Sequence, residues 1–275
     1  MRITLIGAGG KMGLRLAKNL IRSDYQTGYV EISNAGKVKL KELGLAVSEA
    51  ADEVPGSDVI ILAVPDNILG TVSGKVVPMM KQGAMLVTLD PACALAGKIC
   101  HRDDLSYFIT HPSHPSVFNW EPAEEAQHDY FGGTLARQTI VCALFHGPDD
   151  DYQKGEALAK ILYAPVRKAF RITAEQMGLL EPALVETLCS TLQVIVKQGL
   201  DTVISKGVPA EAAREFLLGH LNIQLAVIYE QIPGAVFSDA ANKAIKRGIP
   251  LLVKEDWRNV FEPDNVAAQI RDITS

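Results

Sequence analysis

The chain has 275 residues, of which 48% are hydrophobic and 21% charged, a composition typical of one large or two modest globular domains. The net charge of −5 supplies no basic field for nucleic acid. No apolar run in the sequence approaches the roughly 18–20 residues that a membrane span needs. A predicted strand begins at residue 3, and the four cysteines lack C-x-x-C spacing. We therefore expect a cytoplasmic protein with no leader peptide and no nucleic-acid or membrane partner.

The first 172 residues alternate between short apolar runs and amphipathic segments. Because strands that alternate with helices form βαβ units, this pattern predicts an α/β fold with a doubly wound parallel sheet. Predicted strands lie at 3–6, 29–32, 45–47, 58–64, 85–89, 107–110, 139–144 and 166–171, and predicted helices at 14–21, 38–43, 69–80 and 152–162.

Beyond residue 172 the sequence pattern is helical throughout. Thr173 followed by Gln176 has the spacing of a capping box, and apolar residues recur at helical spacing from there to residue 206, with Pro182 as a kink or a joint. Further helices are predicted at 210–230, 239–247 and 265–273. We expect a dinucleotide-binding Rossmann domain at 1–172 and an all-helical substrate and dimerisation domain at 173–275. So small a domain cannot cover so apolar a helix, which favours a homodimer.

The segment at residues 3–13 carries the most information. A short apolar strand runs into glycines that fit the spacing G-x-x-G-x-x-G, and an amphipathic helix follows. Only a backbone with few side chains turns this tightly and still contacts a pyrophosphate at a helix N-terminus. A structural glycine loop is the alternative interpretation. The predicted cofactor-binding residues here are Gly7, Gly9, Gly10, Lys11, Met12 and Gly13.

Glu31 follows Gly7 by 24 residues, near the end of the second predicted strand. A carboxylate at that position bonds the ribose hydroxyls of NAD and repels the 2′-phosphate of NADP. Basic and polar residues that follow it leave NADP open as the alternative: Ser33, Asn34, Lys37 and Lys39. We expect NAD.

Two further strand ends are expected to line the cofactor crevice. Val64, Pro65 and Asp66 close one strand, and Asp90 closes the next. Asp66 has an alternative role as the N-cap of the helix that follows. Cys93 lacks an evident partner for a nucleophilic role.

The sequence His-Pro-Ser-His-Pro at 111–115 places two imidazoles three residues apart, on a loop predicted to follow the strand at 107–110. Removing a hydride from an alcohol requires a base near neutral pH, and histidine titrates there. His111 and His114 are therefore the predicted catalytic bases, and Ser113 and Asn119 are predicted substrate contacts. A zinc site at the two histidines lacks a clear third ligand.

The helical region keeps polar residues in apolar surroundings, which is costly unless they are paired or functional. Glu181 and His220 are predicted catalytic residues, and Glu186, Asn222 and Lys254 are predicted substrate contacts. Mg²⁺ is the metal that Glu181 and Glu186 would bind, although a spacing of five residues suits one α-helical face poorly. A core histidine and surface glutamates are the alternative.

The whole chain resembles the superfamily of 3-hydroxyacid, phosphogluconate and prephenate dehydrogenases. It is most similar to the phosphogluconate dehydrogenase-like group that includes the D-apionate oxidoisomerases. The motifs that carry the resemblance are Gly-Ala-Gly-Gly-Lys-Met-Gly at 7–13, Pro-Asp-Asn-Ile at 65–68, His-Pro-Ser-His-Pro at 111–115, Gly-His-Leu-Asn at 219–222 and Val-Lys-Glu-Asp-Trp-Arg at 253–258.

This resemblance implies NAD-linked oxidation of a small polyhydroxy (sugar) acid, coupled to acyl migration. It also implies that His111, in a motif similar to that of prephenate dehydrogenases, contacts the substrate hydroxyl. The chain departs from the pattern at residues 177–186, which contain no lysine where related dehydrogenases carry a catalytic one. A histidine or glutamate must take that role. The alternatives are a reductase of a keto acid or imine and a non-catalytic dinucleotide sensor.

Overall fold

The computed structural model describes all residues, 1–275. One sheet of eight strands organises its N-terminal part. The strands are β1 (Arg2–Ile6), β2 (Gln26–Val30), β3 (Val47–Ser48), β4 (Val59–Leu62), β5 (Met85–Thr88), β6 (Ser106–Pro112), β7 (Gln138–His146) and β8 (Val166–Arg171). Their order across the sheet is β3-β2-β1-β4-β5-β6-β7-β8.

Twelve α-helices connect and follow the strands. They are α1 (Lys11–Ile21), α2 (Asn34–Glu42), α3 (Ala50–Glu53), α4 (Asp66–Val76), α5 (Ala92–Leu95), α6 (Glu124–Gln127), α7 (Asp150–Leu162), α8 (Ala174–Gly178), α9 (Thr191–Ser205), α10 (Ala210–Ile228), α11 (Asp239–Leu252) and α12 (Pro263–Ile273). A π-helical segment, Leu179–Ser190, joins α8 to α9.

The predicted α/β class is confirmed, and the sheet is mostly parallel. Strands β1 to β6 run parallel, whereas β7 pairs antiparallel with β6 and parallel with β8. The expectation of a fully parallel sheet is therefore wrong for the last two strands. The connection from β6 to β7 contains only the four-residue helix α6. Without a crossover helix the chain re-enters the sheet from the edge where β6 ended.

Both faces of the central strands are buried. In β4, Val59 and Ile61 pack into one apolar cluster with α1 and α7, while Ile60 and Leu62 pack into a second cluster with α4. This alternation follows from the two-residue period of a strand, and burial on both faces explains why β4 is apolar at every position.

The chain divides into two compact units. Unit 1 comprises Met1–Leu180 and Ala267–Ser275, and unit 2 comprises Glu181–Val266. The C-terminal residues belong to unit 1, where Lys98 Nζ donates a hydrogen bond of 2.5 Å to the Thr274 carbonyl. The assignment of cofactor and substrate roles to 1–172 and 173–275 stays a prediction.

The predicted start of the helical region at Thr173 is confirmed. Thr173 and Gln176 form the predicted capping box, with hydrogen bonds of 2.9 and 3.2 Å. The helical run expected beyond them, with Pro182 as a kink or a joint, is continuous and comprises α8, the π-helical segment and α9. Pro182 lies in the π-helical segment. Proline has no N–H to donate to the preceding turn, and the wider turn of this segment leaves room for its ring.

Ala174–Ser205 forms one continuous helical stretch of 32 residues with a window of mean hydropathy 1.5, long and apolar enough to cross a membrane by length and composition. The expectation that no apolar segment approaches that length is therefore wrong. The same length and composition also occur in core helices. At its start, Ala174 and Met177 are core residues that pack with Ile109 and Ala143 of the sheet.

Candidate active site

The glycine turn lies between the end of β1 and the start of α1. Gly7 adopts φ +77°, and its N–H donates to the Val30 carbonyl at 2.9 Å. A Cβ at Gly7 would lie 2.4 Å from the Ala63 carbonyl oxygen, and one at Gly13 would lie 2.1 Å from the Gly7 carbonyl oxygen. No side chain fits either place, so glycine is required for the turn itself. The first amides of α1 are left facing the carboxyl edge of the sheet.

Glu31 lies one residue past the end of β2, with its carboxylate held by the backbone. Its Oε2 accepts from Gly9 N–H at 2.9 Å and its Oε1 from Ser33 N–H at 2.7 Å. Burial raises the pKa of Glu31, but these hydrogen bonds outweigh it and the pKa is lowered. The side chain is therefore a fixed anion. Ser33, an alternative phosphate contact, accepts from Gly36 N–H and caps α2.

A cavity of about 360 Å³ opens at this edge of unit 1. Its lining includes five of the predicted cofactor residues: Gly7, Gly10, Glu31, Val64 and Pro65. The remaining wall is largely apolar, with Ile32, Ile68 and Val72. A mostly apolar cleft with a fixed anion at one end suits an adenosine group whose ribose hydroxyls donate to the carboxylate.

Asp66 and Asp90 follow the neighbouring strands β4 and β5. Asp66 is the first residue of α4, whose N-cap is Pro65 without a side-chain bond, so the alternative role of Asp66 as N-cap is wrong. Burial, together with the nearby Asp90 charge, raises the pKa of Asp66 to about 6. Asp90 is oriented by the Ala92 N–H, which donates to its Oδ1 at 2.7 Å. Burial raises the pKa of the Cys93 thiol to about 11, which disfavours a nucleophilic thiolate.

His111 lies within β6, opposite Val141 of β7, and not on a loop as expected. The prediction ended this strand too early because β7, which extends it, is distant in sequence. The Nδ1 of His111 lies 2.9 Å from the Pro112 carbonyl oxygen. A carbonyl only accepts, so Nδ1 carries the proton and Nε2 the lone pair.

The surroundings of His111 favour its neutral form. Burial lowers the pKa of His111, and the Asp90 carboxylate opposes this effect only in part. An oxygen of Asp90 and a ring nitrogen of His111 lie within 4.8 Å of each other. A neutral imidazole with a lone pair on Nε2 is the form that accepts a proton at neutral pH.

His114 follows on the loop after β6, in an unusual backbone conformation. Its φ is +60°, and its Nδ1 lies 2.8 Å from the Phe131 carbonyl oxygen. The ring of Phe131 lies under Lys11 and Arg15 of α1, at 4.5 and 4.1 Å from the ring centre. The rings of His111 and His114 are 6.2 Å apart. The loop thus carries His114 to the glycine turn.

Two predicted substrate contacts lie on the same loop. Ser113 N–H donates to the Thr139 carbonyl at 2.9 Å. The Asn119 amide donates to Glu121 Oε1 and to the Arg137 carbonyl, both at 2.8 Å. The Asn119 nitrogen therefore stabilises the loop itself. The zinc interpretation of His111 with His114 gains no third ligand, since the cluster that contains His111 does not include His114.

The remaining predicted residues belong to unit 2. Glu181 and Glu186 both lie in the π-helical segment, where i→i+5 bonding brings residues five apart onto one face. The spacing that argued against a shared role in an α-helix thus supports one here.

His220 is exposed, so the alternative of a core histidine is wrong. It stacks on Phe216 at 4.1 Å and lines an apolar cavity of about 730 Å³. Asn222 and Lys254 are exposed.

Sequence reasoning missed contacts made between distant residues. The Tyr163 hydroxyl donates to the Thr110 carbonyl at 3.2 Å, directly before His111. Glu121, which is 7% exposed, accepts from the backbone of Arg137. Phe131 joins the loop to α1. None of these side chains stands in a motif, and no local spacing signals them.

The glycine turn, the fixed Glu31 carboxylate and the basic imidazole at the same edge of the sheet define a dinucleotide-binding oxidoreductase. Two family models match the chain. Residues 2–91 match the NAD binding domain of 6-phosphogluconate dehydrogenase, and residues 119–274 match the C-terminal domain of decarboxylating phosphogluconate dehydrogenase.

Individual relatives match over nearly the full length. D-apionate oxidoisomerases from Cupriavidus necator and Rhizobium rhizogenes are each 50% identical over 99% of both chains. A crystal structure from C. necator, described as a semialdehyde dehydrogenase NAD-binding protein in complex with calcium and NAD, is 50% identical with a TM-score of 0.97 over 99% of both chains. An archaeal NADH-preferring ketol-acid reductoisomerase shares the fold, at 17% identity and a TM-score of 0.69 over 99% of this chain and 82% of the other.

The chain belongs to the phosphogluconate dehydrogenase-like family of NAD-dependent oxidoreductases, together with the D-apionate oxidoisomerases.

Proposed function

We propose that this enzyme oxidises a branched sugar acid, D-apionate or a close analogue, with NAD and couples the oxidation to a rearrangement of the carbon skeleton. The observation that carries the proposal is the neutral His111 imidazole, with its lone pair on Nε2, at the edge of the sheet that holds the glycine turn. The activity of the relatives that are 50% identical supports the substrate class.

In the oxidation, His111 Nε2 accepts the proton of the substrate hydroxyl. The adjacent C–H bond breaks, and its hydrogen leaves as hydride to the nicotinamide of NAD, so that the alcohol becomes a carbonyl and NADH forms. Asp90 faces the imidazole and stabilises the imidazolium that results. His111 is thus the proposed base.

The rearrangement changes no oxidation state overall. The hydroxyl on the carbon next to the new carbonyl loses its proton to solvent, and that carbon becomes a carbonyl as it releases the migrating group. The migrating carbon group moves with its bonding electron pair to the neighbouring carbonyl carbon, whose oxygen becomes a hydroxyl. The proton held by His111 can be returned to that oxygen. The product is a 3-oxo acid.

The same site is proposed to accept a divalent cation, because the C. necator protein of known structure was solved with calcium and NAD. Asp90 would supply a carboxylate oxygen, the ligand type that Ca²⁺ and Mg²⁺ prefer, and its ligand atom lies within 4.8 Å of one on His111. When bound, the ion would polarise a substrate carbonyl.

Glu181 and His220 are proposed to complete the catalytic set. Glu186, Asn222 and Lys254 are proposed to contact the substrate carboxylate and hydroxyls, and Lys11 and Met12 the cofactor.

We also propose that the active form is a cytoplasmic homodimer. Unit 2 exposes large apolar side chains along its helices, among them Val194, Ile195, Phe216 and Leu218. Exposed apolar surface of this extent marks an interaction site, and a second copy covers it without a further partner. Light scattering during gel filtration should give twice the mass of 29.7 kDa.

The proposal is tested by following NADH absorbance with D-apionate and other four- and five-carbon sugar acids, with NAD and NADP in parallel. We expect turnover with D-apionate and NAD. His111→Asn should lower kcat/KM at least 100-fold, and the exposed His128→Asn serves as the matched control. Turnover of keto acids or imines alone would favour a reductase, and cofactor binding without any turnover would favour a sensor. Either result would overturn the proposal.

A further inference from the structure

A second cluster of metal-ligating side chains lies in unit 1, at the opposite edge of the sheet. His101, Asp103 and His146 each present a ligand atom within 4.8 Å of the others. His146 ends β7 and pairs with Tyr107 at the start of β6, whereas His111 pairs with Val141 near the other end. Five residues of strand separate the two positions, which is about 17 Å. The cluster is therefore separate from the proposed active site.

We propose that His101, Asp103 and His146 form a binding site for a divalent transition metal, with Zn²⁺ as the best fit. Two imidazoles and one carboxylate are the donor set that zinc accepts, and the fourth position is left to water. Ca²⁺ and Mg²⁺ are excluded on chemical grounds because they prefer a shell of oxygen ligands.

The three donors already converge. His101 Nε2 lies 2.9 Å from Asp103 Oδ1, and the rings of His101 and His146 meet edge to face at 4.7 Å between centres. Two ligands on a tetrahedral zinc ion lie about 3.4 Å apart, given zinc–ligand distances of about 2.1 Å. Only small side-chain rotations are needed, and Asp103, with a side chain 95% exposed, is able to make them.

Packing holds the two rings in place before any metal binds. His101 stacks on the buried ring of Tyr107 at 5.2 Å, and His146 meets the same ring at 6.0 Å. The hydroxyl of Tyr107 accepts from Arg102 N–H at 2.8 Å and donates to the Cys100 carbonyl at 3.0 Å. Tyr107 thereby fixes the backbone on both sides of His101. A site whose ligands are fixed in this way loses less freedom when the metal binds.

A metal bound here would join the segment before β6 to the last residue of β7. That end of the strand pair has an irregular register between Tyr107 and Phe108. Zinc should therefore stabilise unit 1 without taking part in the reaction. It should raise the melting temperature by an amount that grows with the ratio of free zinc to its dissociation constant.

The test uses the full chain after treatment with a chelator. Zinc is titrated by calorimetry, and Co²⁺ is added separately to record the visible absorption of a tetrahedral site. The variants are His146→Ala in the cluster, His111→Ala at the other edge and His128→Ala as an exposed control. We expect one zinc ion per chain, at least tenfold weaker binding in His146→Ala, and affinities within threefold of wild type in the other two.

The melting temperature provides a second readout that does not depend on activity. Zinc should raise it in wild type and His111→Ala but not in His146→Ala. If His146→Ala binds zinc as tightly as wild type, or if only His111→Ala loses the metal, the inference is overturned. A cluster variant that fails to fold would show a low melting temperature without zinc, and His101→Gln then replaces it in the titration.

Discussion

We predict that Glu31 sets the cofactor preference, and this role can be tested by removing its charge while keeping its shape. The Glu31→Gln variant retains one oxygen acceptor for the Gly9 and Ser33 N–H groups that Glu31 now holds at 2.9 and 2.7 Å. Its neutral amide no longer repels a 2′-phosphate. It also loses one strong acceptor for the ribose hydroxyls of NAD.

The size of the effect follows from the charge and the position. Two unit charges 4 Å apart interact by about 4 kcal/mol at an effective dielectric of 20. The cavity opens to solvent, which screens the charges, so we take about half of this repulsion, ~2 kcal/mol. Its removal in Glu31→Gln corresponds to roughly 30-fold tighter binding of NADP. Loss of one hydrogen bond to the ribose costs ~1 kcal/mol, or roughly fivefold weaker binding of NAD. The preference for NAD should fall by about two orders of magnitude.

Calorimetric titration of both cofactors against wild type and variant measures this shift. Glu53→Gln is the matched control, because Glu53 is also a carboxylate of unit 1 but pairs with Arg2 at 2.8 Å, away from the cavity. If Glu31→Gln weakens NAD and NADP equally, or behaves like Glu53→Gln, the carboxylate does not discriminate between the cofactors and the assignment fails.

Four further outcomes are expected. For wild type, kcat/KM should fall only below pH 6.5 as the pH drops, because burial lowers the pKa of His111 and its protonated ring cannot act as a base; a fall centred above pH 6.5 would count against it. Asp66→Asn should raise the free energy of unfolding in urea by about 1 kcal/mol at pH 8 and by little at pH 4. The pKa of Asp66 is raised to about 6, so the native state is stabilised by the protonated carboxyl at low pH and loses that stabilisation as the pH rises through 6. His114→Gly should be about 1 kcal/mol more stable than His114→Ala, because glycine adopts the positive φ of 60° at this position without steric strain. Equal urea midpoints of the two variants would show that the backbone is not strained there. Gly13→Ala should abolish measurable NAD binding in titration, as its Cβ would lie 2.1 Å from the Gly7 carbonyl oxygen.

Local patterns in the sequence were sufficient for most of the fold. The strand at 166–171 and the Thr173 capping box are as predicted, because each depends on residues close together in the chain. The direction of β7 and the place of His111 within β6 were not predictable in this way. Both depend on pairing between strands about 30 residues apart, which no local period encodes.

The candidate site shows the same difference between features set by local sequence and features set by distant partners. Residue types and spacing identified the glycine turn, Glu31 and the histidines. The contacts that orient them involve partners remote in sequence: Phe131 holds His114 and lies under α1, and Tyr163 reaches the carbonyl before His111. The π-helical turn that places Glu181 and Glu186 on one face was also not predicted, because a spacing of five residues puts two side chains on different faces of an α-helix.

The central claim is that NAD-linked oxidation and skeletal rearrangement occur at the edge of the sheet that carries His111. The most direct measurement is NMR of the product formed from ¹³C-labelled D-apionate with NAD, with NADH quantified in the same sample. We expect one NADH per molecule of a 3-oxo acid in which a labelled carbon has changed its bonded neighbour. NADH formed with an unrearranged skeleton, or no NADH at all, would contradict the account.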